Sequence, residues 1–158
     1  MFNASISDAI QDSRVKQLRA AVDQRVAVKV NQTLASPTRL EVSNSAQFWY
    51  PAGAYMSWHT NSGAPGWRMY ITHVDEPGKS FFRYRDADSG KIITSWDNTW
   101  NVRLFEIRAD KPFWHAVYSA TNRFSFGYVI QSQPIGRKLI RKLKHLLKFE
   151  SWARPPSR

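Results

Sequence analysis

Cysteine is absent from the 158-residue chain. This excludes a disulfide scaffold, thiolate metal sites and a cysteine nucleophile. Histidine is scarce, so any imidazole site must draw on His59, His73, His115 and His145. Acidic residues number 12 against 23 Lys and Arg, a formal net charge of +11. No stretch is long and apolar enough to span a bilayer, and the opening MFNASISDAIQDSR lacks the pattern of a signal peptide, so a cytoplasmic location is the simplest expectation. No internal repeat, low-complexity segment, glycine-rich phosphate loop, Ser-His-Asp order or paired-carboxylate motif stands out.

What is present suits a globular domain: 42% hydrophobic and 14% aromatic residues, in a length that favours one core. The charge is uneven. Residues 136–158 carry eight Lys or Arg against Glu150 alone, whereas residues 1–135 carry fifteen against eleven acids. Such a balance favours acidic partners without naming one.

The pattern divides the chain into a main domain, 1–135, and a tail, 136–158. Ser5 or Ser7 is expected to cap a helix running to about Val22, with Val15, Leu18 and Val22 as its apolar stripe. VAVKV at 26–30 reads as a strand. From Gln47 onward the pattern is β, with strands at 48–50, 54–59, 68–74, 80–85, 91–95, 102–107, 113–117 and 123–131. Turn signals separate them, notably Asp75-Glu76-Pro77-Gly78 and 86–90. Short strands with turns between them predict a sandwich or barrel. Trp58, Trp67, Phe81, Phe82, Tyr84, Trp96, Trp100 and Trp114 are expected mostly in the core, and His73 in a structural role. In the tail, Leu139, Ile140, Leu143, Leu146 and Leu147 recur at helical spacing, with Arg137, Lys138, Arg141, Lys142, Lys144 and Lys148 on the other face. This basic amphipathic helix would suit its own core, an acidic protein, an anionic membrane or nucleic acid.

The chemistry concentrates at residues 50–61, YPAGAYMSWHTN. On a strand, His59 and Asn61 share one face, which begins a metal site whose third ligand must come from elsewhere. His115 is the best candidate. Arg123 and Ser125, again at i and i+2, suit a carboxylate, because a guanidinium grips both oxygens at once.

The order Tyr50, Gly53, Tyr55, His59-x-Asn61, His115, Arg123-x-Ser125 resembles the iron(II)- and 2-oxoglutarate-dependent dioxygenases, in particular the prolyl 4-hydroxylase-like branch, over about residues 48–130. The resemblance implies a mainly β fold with flanking helices around a double-stranded β-helix, or jelly-roll, core. It implies iron(II) held by His59, Asn61 and His115, and 2-oxoglutarate held by Tyr50, Arg123 and Ser125. The implied activity couples 2-oxoglutarate and dioxygen to hydroxylation of an unidentified substrate. Asn61 departs from the pattern, which has aspartate there. Either the amide coordinates, or Asp75 or Asp97 completes the site, or the position admits an anion as in related halogenases, or iron no longer binds. The alternative function is a non-catalytic jelly roll whose basic tail contacts a partner.

Overall fold

The computed structural model describes residues 4–5, 12–34, 36, 38–61 and 63–132. The basic helix expected from Gly136, with Arg137, Lys138, Arg141, Lys142, Lys144 and Lys148, lies outside the described residues. The elements are β1 (Ala4–Ser5), α1 (Ser13–Thr33), β2 (Leu40–Tyr50), β3 (Tyr55–His59), β4 (Gly66–Val74), β5 (Ser80–Arg85), β6 (Ile92–Trp96), β7 (Trp100–Ile107), β8 (His115–Ser119) and β9 (Arg123–Ser132). All pairings are antiparallel, in two sheets ordered β1-β2-β9-β4-β7 and β3-β8-β5-β6.

The pairing is nested. β2 pairs with β9, β3 with β8, β4 with β7 and β5 with β6. A long hairpin wound into two facing sheets has this connectivity, which is that of a jelly roll. The fold is thus mainly β, with a double-stranded β-helix core and, among the described residues, one flanking helix.

Alternation along each strand sends one set of side chains between the sheets and the other set outward. Between the sheets lie Tyr50, Ala54, Phe82 and Val117, with Phe48, Met56, Tyr70, Tyr84, Phe105 and Phe113 packed around them. Outside the five-stranded sheet, Met69, Tyr128 and Ile130 meet Val30 of α1. A bulge in β2 serves both layers. The register advances from Asn44↔Tyr128 to Ala46↔Gly127, which leaves Ser45 as an extra residue. Leu40 and Val42 before it face the helix, whereas Phe48 and Tyr50 after it face the interior.

The helix differs from the sequence expectation. It starts at an Asp12 cap, whose side chain accepts from the Arg14 N–H, and it runs through 26–30, where a strand was expected. Alternating β-branched residues look strand-like, but in a helix Val26 and Val30 lie one turn apart and both pack on the sheet. Tertiary burial decides the matter. The expected stripe of Val15, Leu18 and Val22 is exposed. The packing face instead brings Arg19 over the Phe126 ring, at 5.0 Å, and Asp23 to the Tyr128 hydroxyl, which donates to it at 2.8 Å. Burial, then Asp23, pushes the Tyr128 hydroxyl up to about 12. Asn31 ties the helix end to β2: its amide donates to the Leu40 carbonyl at 3.0 Å and accepts from the Leu40 N–H at 2.8 Å.

A second correction concerns tryptophan. Phe82 is buried, but Trp58, Trp67, Trp96, Trp100 and Trp114 are all exposed. Their strands alternate as expected; it is the outward phase that they occupy. Tyr84 and Phe81 are half-buried, on opposite faces of β5.

Candidate active site

A cavity of about 390 Å³ opens between the sheets, and His59, Asn61, His115, Tyr50, Arg123 and Ser125 all line it. Six positions spread over 76 residues of sequence therefore share one space, each for a local reason.

His59 and His115 meet because β3 and β8 place them directly opposite. That register depends on a bulge. From Met56↔Val117 to His59↔His115, β3 advances three residues while β8 advances two. Ser57 and Trp58 both turn outward, and Met56 and His59 both turn into the cavity. The two imidazole centroids lie 4.0 Å apart. Nδ1 of His59 lies 2.8 Å from the Ser57 carbonyl, and Nδ1 of His115 lies 3.1 Å from the Phe113 carbonyl. A carbonyl only accepts, so each Nδ1 carries a proton and each ring's Nε2 is the nitrogen left free of that anchor. Burial, reinforced by His59, pushes the His115 imidazole down to about 4, which keeps it neutral. Two imidazoles with Nδ1 anchored and Nε2 left for a ligand form half of a metal-binding arrangement.

Asn61 lies just beyond the end of β3, at the cavity wall. Tyr70, with its hydroxyl, lines the same cavity. Burial raises that hydroxyl's pKa, opposed by Arg68, Asn61 and Arg123. Gly127 makes room for Tyr70, since a Cβ there would lie 3.1 Å from the ring.

Arg123, at the start of β9, is 1% exposed. Its Nε donates to Asp97 Oδ2 at 2.9 Å, and its guanidinium lies 5.2 Å from the Tyr50 ring centroid. Its Nη2 reaches Thr72 Oγ1 at 3.4 Å, and its Nη1 is buried with no hydrogen-bond partner. Asp97 also pairs with Arg103 Nη1 at 2.7 Å and accepts from the Ser80 hydroxyl at 2.7 Å. Burial would raise the Asp97 carboxyl, but Arg123, Ser80 and Arg103 together hold it below the ordinary carboxylate range. One carboxylate thus orients two arginines, and a donor of Arg123 remains for a ligand.

Asp75 and Asp97 were candidates for the missing carboxylate ligand, and neither lines the cavity. Asp75 accepts from the Asn122 amide, and Asp97 is engaged by its arginines. Among the described residues, no three His, Asp or Glu side chains gather as a metal-binding group. His73 lies against Trp100, the tilted rings 4.6 Å apart between centroids, and it is not in the cavity lining.

Arg68 was not singled out as a site residue, although the sequence puts it on one strand face with Tyr70, within reach of the pocket. It is buried, lines the cavity, and donates to the carbonyls of Trp67 and Ala64. No ion pair forms to it among the described residues. The signal was its position two residues before Tyr70 on an alternating strand. With Arg68 and Arg123 present and no Asp or Glu among the described residues of its lining, the cavity carries positive charge and suits anions.

These residues fit iron in part. Two imidazole nitrogens and one amide oxygen are suitable donors, but none brings negative charge. The free donor of Arg123 fits a carboxylate. A dianion such as 2-oxoglutarate would bring the charge that the donor set lacks.

No protein-family model matches the chain, and no curated protein matches it. Among solved structures, a prolyl-4-hydroxylase from Pseudomonas putida is 20% identical over 78% of this chain and 69% of its own, with a TM-score of 0.45. Peruvianin-I, a cysteine peptidase from Thevetia peruviana latex, is 11% identical over 60% and 63%, with a TM-score of 0.40. A cupin domain from Bordetella pertussis is 14% identical over 61% and 86%, with a TM-score of 0.36. Likenesses this distant say nothing about what the cavity holds.

Proposed function

We propose that the cavity is the site of an iron(II)- and 2-oxoglutarate-dependent oxygenase acting on a substrate C–H. The observation that carries this reading is the buried, unpartnered Nη1 of Arg123 in the same cavity as two anchored histidines. His59, His115 and Asn61 would hold the metal, and Arg123 and Ser125 would hold the distal carboxylate of 2-oxoglutarate beside Tyr50. When bound, the metal would supply activation of dioxygen, coupled to oxidative decarboxylation of the cosubstrate to succinate.

The chain's own residues do three things in this reading. Asp97 holds the Arg123 guanidinium in place, so little ordering entropy is lost when a carboxylate arrives. The carbonyls of Ser57 and Phe113 fix the histidine tautomers before any ligand binds. Phe48, Met56 and Val117 keep water from part of the cavity wall, which strengthens each charge contact inside.

Asn61 makes a specific expectation of this reading. With no carboxylate among the ligands, iron(II) should bind weakly alone and more tightly once 2-oxoglutarate is present. Anaerobic iron(II) titration with and without 2-oxoglutarate tests this. Arg123→Gln should lower 2-oxoglutarate affinity by about tenfold or more and remove the coupling. Asn61→Asp should tighten iron(II) binding in the absence of 2-oxoglutarate. Equal 2-oxoglutarate affinity in wild type and Arg123→Gln would reject the assignment. The lack of a lining carboxylate among the described residues favours a second reading, a non-catalytic jelly roll that binds the anion without turnover. Succinate release from 2-oxoglutarate separates the two.

A further inference from the structure

The outer face of β3-β8-β5-β6 is an aromatic platform. Register aligns Tyr55 with Tyr118, Tyr118 with Phe81, and Phe81 with Trp96, one ring from each of the four strands. Phe81 lies 5.3 Å from Trp96 and 5.6 Å from Tyr118, centroid to centroid. Trp96 is 56% exposed, and Tyr55 and Tyr118 are also exposed. At strand spacing, the row extends roughly 14 Å. A second row lies beside it, where the β3 bulge turns Trp58 outward. Trp58, Trp114, Ile92 and Arg85 line a notch of about 170 Å³.

Within the four strands of this face, charge has one sign. Arg83 lies over the Phe81 ring at 4.3 Å and donates from Nε to Thr94 Oγ1 at 2.9 Å, with no ion pair to it or to Arg85 among the described residues. The four strands contain no Asp, Glu, Asn or Gln. Asp86 and Asp88 on the β5–β6 turn are engaged, by Ser89 and Lys111.

We propose that this face binds single-stranded nucleic acid, with bases stacked on the Tyr55–Tyr118–Phe81–Trp96 row and phosphates drawn to Arg83 and Arg85. Aromatic rings on a flat sheet with arginines between them supply the two terms such binding uses: sequence-tolerant stacking and backbone neutralisation. A sugar platform would need carboxylates or amides beside the rings, and these strands have none. A membrane anchor would carry its rings on protruding loop tips, whereas Phe81, Tyr118 and Trp96 sit on strands. The proposal does not depend on what the cavity holds.

The test uses the full chain with a fluorescent oligothymidine strand and an abasic strand of equal length. The wild type should bind oligothymidine more tightly than the abasic strand. Trp96→Ala and Tyr118→Ala should each weaken oligothymidine binding about five- to a hundredfold and erase the preference, while Trp96→Phe keeps most of it. Arg83→Gln with Arg85→Gln should make the log–log salt slope shallower by about 1.4. Unchanged circular dichroism would confirm that these exposed substitutions keep the fold. Equal affinity for both strands, or ring variants that bind as the wild type does, would overturn the proposal in favour of general polyanion adhesion by a basic chain. Ring-dependent capture by phosphatidylserine vesicles without an oligothymidine preference would overturn it in favour of a membrane. Ring-dependent self-association in sedimentation would overturn it in favour of a second copy.

Discussion

The two sheets cover their outer faces to different extents. α1 roofs part of the five-stranded sheet and buries Met69, Tyr128 and Ile130 beneath Val26 and Val30, while Trp67, Trp100, Val102 and Leu104 toward the β7 edge stay exposed. The four-stranded sheet shows Trp58, Trp96, Trp114, Tyr55 and Tyr118 to solvent. Apolar area removed from water contributes about 25 cal/mol per Å², and the same area left in water contributes nothing to folding. Rings beneath the helix are therefore structural, and rings on the uncovered faces are available to a ligand.

Four substitutions would break or sharpen that contrast. The largest effect is expected between the sheets. Phe82→Ala removes a ring that touches Tyr70, Phe105, Phe113 and His115, and should cost about 4 kcal/mol in urea unfolding. Next is Asp97→Asn, which leaves Arg123 and Arg103 without their shared counter-charge and should cost about 3 kcal/mol. It also carries a pH signature. The Asp97 carboxyl is held below its ordinary value in the folded state, so its stabilisation is complete above the usual carboxylate pKa and is lost as pH falls through the lower, folded value. The substitution should therefore flatten the acid side of the stability profile; an unchanged acid side would deny Asp97 that role.

Under the helix roof the effect should be smaller. Val30→Ala should cost about 2 kcal/mol by thermal or chemical denaturation, from one buried side chain and the gap it leaves. On the bare face, Trp96→Ala should cost about 1 kcal/mol or less, the scale of one exposed ring pair. A large loss there would mean that the outer rings hold the fold together, and the contrast between the sheets would fail.

Much of the strand plan was legible, because turns and alternation are local. The strand expected at 80–85 coincides with Ser80–Arg85. Which phase of a strand is covered is not local. Trp96 and Trp114 alternate as core residues do, and only the place of the helix decides that their face stays open. The same holds for 26–30, where local alternation favoured a strand and contact with the sheet produced a helix. At the cavity, residue type and spacing singled out His59, His115 and Arg123. The bulge at Ser57 and Trp58 that sets the histidine register left no distinct mark. Asp97 looked like a spare ligand, since a sequence does not reveal which charge a carboxylate faces.

β9, the last described strand, lies in the middle of its sheet, between β2 and β4. Leu40 finds its partner only at Ser132, and Asp23 accepts from a tyrosine 105 residues further on. During synthesis, β2 and β4 must emerge with a gap between them, and α1 lacks the Phe126, Tyr128 and Ile130 part of its seat. Contacts so distant in the chain fold slowly, and unpaired strand edges invite wrong partners meanwhile. The growing chain stays vulnerable until nearly its whole jelly roll has left the ribosome, and a nascent chain stopped before Arg123 should remain protease-sensitive throughout.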